Sequence, residues 1–354
     1  MRIVYNLRDQ NWETTKSLGV LHVSLRMLAG LAEAPGVDRI DILANRSLEA
    51  LLPRPSAAAG RYHFHFATAP APRGWGRLLW DQWSVVRRTN ELHPDWLLLP
   101  KGFAPLVRWP RARVSAYVHD TIFDYYRASG RSPFPRGEAF YFEAALARTA
   151  ARADSIVTNS AFTAAEVMRC LHPRSTPVPI GAPVSARAPY PFAPETGALL
   201  LLVSRWPHKL TGQAIDWLQR WQDETKSPRP VHGVGSLPAG VTWPDRTGWR
   251  HHQRPGETEY ESLCAQSAAL IHFSAYEGYG LPPVEALADG LRAIASDLPP
   301  FRETLPAACL FSNDHYASFR QALDSALAGP APQPLKADGP AVVADRWLAQ
   351  LGAV

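Results

Sequence analysis

Seven prolines fall between Pro173 and Pro194. No ordinary helix or central strand passes through such a run, because each proline removes a backbone donor and fixes its own φ. The run divides the chain into two blocks, and each block opens on a short apolar stretch: Arg2-Ile3-Val4-Tyr5-Asn6-Leu7 in the first, Ala198-Leu199-Leu200-Leu201-Leu202-Val203 in the second. Stretches of this length without polar alternation read as strands buried on both faces, the state of parallel sheets. Helical patterns follow them. Leu21, Val23, Leu25, Leu28 and Leu31 share the inner side of a helix over 19–33, and further strands at 62–66, 96–100 and 114–120 alternate with a helix over 75–92. Alternation of this kind predicts an α/β chain of doubly wound, Rossmann-like domains. The expected division is 1–180, a proline-rich linker at 181–196, a second domain at 197–330, and a 331–354 segment whose terminal helix packs back on the first domain.

A chain of 354 residues, 46% hydrophobic and 19% charged, is long enough for two such cores. Its three cysteines are scattered and make neither a disulfide framework nor a metal cluster. No stretch approaches the roughly 20 apolar residues that span a bilayer, and the first apolar run is too short for a signal peptide. These features predict a cytoplasmic protein. A net charge of +5 permits attraction to phosphates or to an anionic membrane face. The arginines are spread singly, without the aromatic-basic interleaving of single-strand binders, so no nucleic-acid partner is expected.

Within the second block, residues 272–287 read His-Phe-Ser-Ala-Tyr-Glu-Gly-Tyr-Gly-Leu-Pro-Pro-Val-Glu-Ala-Leu. The pattern is the end of a buried strand, a glycine-hinged loop, and a helix opening on a proline pair, which suits a first helical turn. Gly278 and Gly280 let the backbone approach a ligand and turn amides toward it, beside the positive end of a helix dipole. Glu277 in the loop and Glu285 in the first turn flank this anion-seeking pocket. A ligand with both phosphates and hydroxyls would use amides and acids together.

Glu277 and Glu285 at that spacing, with Gly278-Tyr279-Gly280-Leu281-Pro282 between them and Asp289-Gly290 following, resemble the signature of retaining GT-B glycosyltransferases of family 4. The resemblance extends to His119-Asp120 at the carboxyl end of a strand, where the family's histidine faces the donor sugar. It also takes in residues 153–160, Gly181 and the stretch 299–303. Ser204-Arg205-Trp206-Pro207-His208-Lys209 is similar to the family's phosphate-binding segment, with Ser204 where glycine is usual. An amino-terminal Gly-Gly pair is missing. Thr14-Thr15-Lys16-Ser17-Leu18-Gly19 stands there instead, leaving Lys16 or the amides near Gly19 as substitutes. Residues 80–82, 99–102 and 119–120 lean toward mannosyltransferase-like members.

What the resemblance implies is a GT-B architecture, two domains facing each other across a cleft, and transfer of a hexose from a nucleoside-diphosphate sugar with retention of configuration. Its catalytic residues would be Glu277, His119, Arg205 and Lys209. Gly278, Tyr279, Gly280, Leu281, Glu285 and Asp120 would bind the donor. No metal and no cofactor are implied, since cations and amides meet the charge growing on the leaving diphosphate. The expected donor is GDP-mannose, with UDP- or dTDP-sugars as alternatives. The acceptor would be a glycan or lipid-linked oligosaccharide of surface polysaccharide, reached by peripheral contact with the inner membrane. Residues 121–139, aromatic and without clean periodicity, read as a loop walling the acceptor side. Two other readings stay open: a GT-B-fold epimerase acting on the nucleotide sugar itself, and a non-catalytic sugar- or nucleic-acid-binding protein.

Overall fold

The computed structural model describes the chain apart from residues 13–17, 33, 55–59, 68–74, 131, 186–189, 191–196, 331 and 353–354, and gives residues 75–82 by backbone alone. It divides into two compact units, Met1–Ser185 with Asp338–Val354, and Ala186–Ala337. The segment Asp338–Val354 belongs to the first unit.

In the first unit seven strands form one sheet: β1 (Arg2–Leu7), β2 (Arg39–Ala44), β3 (Tyr62–Phe66), β4 (Trp96–Leu99), β5 (Arg113–Val118), β6 (Ser155–Thr158) and β7 (Val178–Pro179). Their order is β3-β2-β1-β4-β5-β6-β7, and every pairing is parallel. β4 and β6 are buried at every residue, as strands covered on both faces must be. Helices α1 (Leu18–Leu31), α2 (Trp75–Leu92), α3 (Ile122–Ser129), α4 (Arg136–Arg152) and α5 (Ala161–Leu171) connect them. Ser160 caps α5 by accepting from the amide of Thr163 at 3.0 Å.

One expectation fails here. Residues 121–139 are not a loop: α3 occupies the first half and α4 begins at Arg136. Their packing is aromatic rather than aliphatic, so the usual helical stripe is missing. Phe123 meets Phe134 and Phe142 at ring distances of 4.9 and 5.6 Å. Gly130, at φ +66°, ends α3. The proline run also holds a strand, β7. It lies at the sheet edge and pairs only with β6, where a missing N–H is tolerated.

Six parallel strands build the second unit: β8 (Ala198–Val203), β9 (Val231–Gly235), β10 (Trp249–His252), β11 (Ser267–His272), β12 (Ala293–Ser296) and β13 (Leu310–Phe311), in the order β10-β9-β8-β11-β12-β13. β10 and β13 are short and lie at the sheet edges. Helices α6 (Thr211–Thr225), α7 (Glu257–Ala265), α8 (Leu281–Ala288), α9 (Pro299–Thr304) and α10 (Tyr316–Ala328) complete it. The core joins Leu199 and Leu201 of β8 to Ile271, Phe273, Phe311 and Phe319. In both sheets the strand order reverses once, between β1 and β4 and between β8 and β11. Open α/β sheets bind ligands beyond the carboxyl ends of the strands at such a point.

The terminal helix α11 (Pro340–Gly352) belongs to the first unit and packs on α1. Approach is close: a Cβ on Gly30 would stand 2.2 Å from the carbonyl oxygen of Pro340. Trp347 is fully buried beside Tyr5 and Tyr117 and donates Nε1–H to Ser115 Oγ at 2.8 Å. That bond satisfies a hydroxyl which the sheet would otherwise bury without a partner.

Candidate active site

The reversal point of the second sheet carries the residues of interest. β8 ends at Val203, and the Thr211 hydroxyl closes the loop behind it, accepting from the Ser204 amide at 2.9 Å and donating to the Ser204 carbonyl at 2.8 Å. Between these anchors Pro207–Lys209 forms one 3-10 turn, ended by Leu210 at φ +48°. The carbonyl of His208 accepts from the Ala275 amide at 2.6 Å and from Ser274 Oγ at 3.2 Å. The loops after β8 and β11 are thus tied together by backbone, and Lys209 is delivered to the signature loop.

There Lys209 Nζ forms an ion pair with Glu277 Oε1. The same oxygen meets His272 Nε2 at 2.7 Å. Both acid and base are largely withdrawn from water, with side chains 11% and 21% exposed, and His272 is buried. Burial alone would push the Glu277 carboxyl up, but the Lys209 charge and the His272 hydrogen bond outweigh it and hold the group well below the usual carboxylate range. Burial pushes His272 down, against the opposing pull of Glu277, so at neutral pH the imidazole is uncharged. A neutral ring facing a carboxylate places its proton on Nε2. Nδ1 is then a bare acceptor, buried and without a partner among the described residues. His208 is likewise neutral, pushed down to about 3 by burial and by Lys209.

Gly280 starts α8 at φ +81°, and a Cβ there would stand 1.9 Å from the ring of Phe301. Both the backbone conformation and the ring require glycine. Pro282 and Pro283 fill the first turn of α8, so two of its four free amides do not exist. The donors that remain are those of Gly280 and Leu281. Glu285 lies in the second turn of α8 rather than the first and is half-buried. Gly278 is buried, and Tyr279 and Leu281 are half-buried. Arg205 is exposed, its guanidinium 4.9 Å from the centre of the Trp206 ring.

His119 and Asp120 follow β5 in the first unit. His119 donates Nε2–H to the carbonyl of Pro100 at 2.7 Å, which assigns the tautomer and leaves Nδ1 as the acceptor. Burial pushes its pKa down to about 4. The Asp120 carboxylate supports the backbone, since Oδ1 accepts from the Ile122 amide at 3.0 Å and starts α3. Lys101, after β4, pairs with Asp9, after β1, at 3.1 Å. Lys16 and its neighbours 14–17 lie outside the described residues. Sequence reasoning assigned no role to His272. The signal was a histidine closing an otherwise apolar strand. Among the described residues no cluster of three or more His, Cys, Asp or Glu is arranged to hold a metal ion, and no helix is long and apolar enough to cross a membrane.

Solved structures resemble the whole chain. A lipopolysaccharide outer core galactosyltransferase, WaaB, in its apo form, superposes with a TM-score of 0.63 at 13% identity, covering 100% of this chain and 99% of that one. The fold is GT-B. A UDP-N-acetylglucosamine 2-epimerase from Listeria monocytogenes, so described as putative, shares this GT-B likeness with a TM-score of 0.62 at 12% identity over 99% and 96% of the two chains. At such identities the likeness concerns the fold. In sequence, the chain is 38% identical over 131 residues to the O-antigen chain mannosyltransferase RfbU of Salmonella typhimurium strain LT2. That match spans 35% of this GT-B chain and about a third of the relative's length, 36%. No family model matches the sequence.

Proposed function

We propose that the protein is a retaining glycosyltransferase of the family 4 type, moving a hexose from a nucleoside-diphosphate sugar to a glycan or lipid-linked acceptor of surface polysaccharide. The observation that carries this reading is the cluster of Lys209, Glu277 and His272 at the reversal point of the second sheet, directly before the glycine-started helix α8. Departure of the nucleoside diphosphate builds negative charge on phosphate oxygens. Lys209, the exposed guanidinium of Arg205 and the loop amides from Gly278 to Leu281 are assigned that charge, typically the largest catalytic term. Glu277 orients the sugar through a hydroxyl, Glu285 accepts from the ribose, and His119 offers Nδ1 to another sugar hydroxyl. Asp120 is kept as a donor-binding residue acting through the turn it starts. No metal ion is part of the mechanism. Similarity to a mannosyltransferase supports GDP-mannose as the donor, and a lipid-linked acceptor would bring the chain to the cytoplasmic face of the membrane.

The test is to offer purified protein a panel of GDP-, UDP- and dTDP-sugars with lipid-linked acceptors and to follow nucleoside-diphosphate release. One donor should be consumed with acceptor present. Lys209→Ala and Glu277→Gln should each lower kcat by about 100- to 1,000-fold, the scale of losing one preorganised charge-stabilising group. Full activity in both variants overturns the site assignment. An isomerised nucleotide sugar formed without acceptor selects the epimerase reading, which the Listeria neighbour shares in fold.

A further inference from the structure

We propose that His272 is a positioning residue that keeps the Glu277 carboxylate paired and aimed while Lys209 is drawn onto the donor diphosphate. The inference rests on the glycosyltransferase reading and adds a residue to it. Lys209 and His272 both bond Oε1 of Glu277, and among the described residues Oε2 has no partner. One oxygen is therefore held and the other is presented.

The two donors on Oε1 differ in how firmly they are placed. His272 closes β11, its Cα in register with Ala295 of β12, and its ring stands edge-on to Phe301 at 5.7 Å and 90°. It is nearly inaccessible, at 4% exposure. Lys209 sits at the end of a single 3-10 turn on a four-carbon stem that rotates freely. A diphosphate carries more negative charge than one carboxylate, so a bound donor competes for the ammonium and only the lysine is able to follow. Without His272 that exchange would leave a buried carboxylate with no hydrogen-bond donor, at the desolvation cost of an unpaired charge. With His272 the carboxylate stays bonded through Oε1, and Oε2 keeps its direction toward the sugar. The unpartnered Nδ1 of His272 follows from the same arrangement. A ring whose one proton is committed to Glu277 turns a bare nitrogen into the core.

Two substitutions separate the hydrogen bond from packing. His272→Phe fills the ring's volume and removes the N–H, while His272→Gln places an amide N–H near the position of Nε2. His272→Phe should lower kcat by about 10- to 100-fold, the rate equivalent of one hydrogen bond to a charged group, with KM for the donor changed less than about threefold. The acid limb of its kcat–pH profile should move upward, because Glu277 then protonates more readily. His272→Gln should restore kcat to within about fivefold of the native protein. A His272→Phe variant with native kcat and acid limb overturns the proposal, as does a His272→Gln variant as impaired as His272→Phe. The imidazole nitrogen shifts of His272 give a readout independent of activity. They should report a neutral Nε2–H ring that persists when nucleoside diphosphate is added, while the Lys209 ammonium resonance shifts. A protonated ring, or the Nδ1–H tautomer, contradicts the proposal. Absence of transfer with every nucleotide sugar, with the imidazole shifts as stated, faults the glycosyltransferase reading instead.

Discussion

At the scale of single residues, burial and close neighbours set the charge of His119 and Glu277. His119 is held neutral by burial, with a pKa of about 4, whereas a histidine in the unfolded chain titrates near 6.5. Between those values the unfolded chain binds more protons than the folded one, so stability falls as the pH drops through this window, by up to ~1.4 kcal/mol per pH unit. His119→Gln retains a donor for the Pro100 carbonyl and has no proton to gain. Its urea midpoint should fall less than that of the native protein between pH 6.5 and pH 4. Glu277 works in the same sense over a lower pH window: its depressed pKa contributes stability above the ordinary carboxylate range, and that contribution is lost as the pH falls toward the folded value. Lys209→Met should therefore destabilise the protein at pH 7 by about 3 kcal/mol, the low end for a broken buried pair because His272 still donates. At pH 3, where the orphaned carboxyl protonates, most of that difference should vanish in chemical denaturation.

At the scale of elements, α8 shows how one glycine fixes a site. Gly280→Ala meets both the left-handed backbone and the Phe301 ring, and it should cost about 2–4 kcal/mol, the range of strained or overpacked positions. In a Phe301→Ala background the steric part is absent, and Gly280→Ala should cost only roughly 1–2 kcal/mol for the backbone. A double-mutant cycle by thermal melts measures that coupling, and strictly additive losses would contradict it. The same element explains what was legible in the sequence. Glycine and proline punctuate the loop at 278–283 so strongly that its strand-loop-helix form is readable without a structure. The mainly apolar strands β1, β4, β8 and β11 were readable for a similar reason, since burial on both faces leaves no regular polar alternation. The α3 helix and the start of α4 were not readable: their partners are the rings of Phe123, Phe134 and Phe142, which satisfy burial without a 3.6-residue stripe. Nor were β7, β10 and β13, since two to four residues at a sheet edge carry no periodicity. Lys209 and Glu277 were each singled out, but 68 residues separate them, and their pairing needs the sheet order β8-β11.

At the scale of the whole molecule, the chain returns to its beginning. α11 completes the first unit by seating Trp347 under Tyr5 and Tyr117, so that unit is discontinuous in sequence while the second is not. Trp347→Ala removes a fully buried ring and strands the Ser115 hydroxyl, and it should cost the first unit about 3–5 kcal/mol. Hydrogen exchange should quicken in β1 and β5 and stay native in β8 and β11. Equal acceleration in both sheets would contradict two separately built cores. What joins the scales is the reading that the reversal point of the second sheet takes a nucleotide sugar. Proton NMR of the purified protein with a nucleotide-sugar donor and a lipid-linked acceptor tests it most directly. The expected result is release of the nucleoside diphosphate and a hexose joined to the acceptor with its anomeric configuration unchanged. No consumption of any GDP-, UDP- or dTDP-sugar, or a product of inverted configuration, would contradict it.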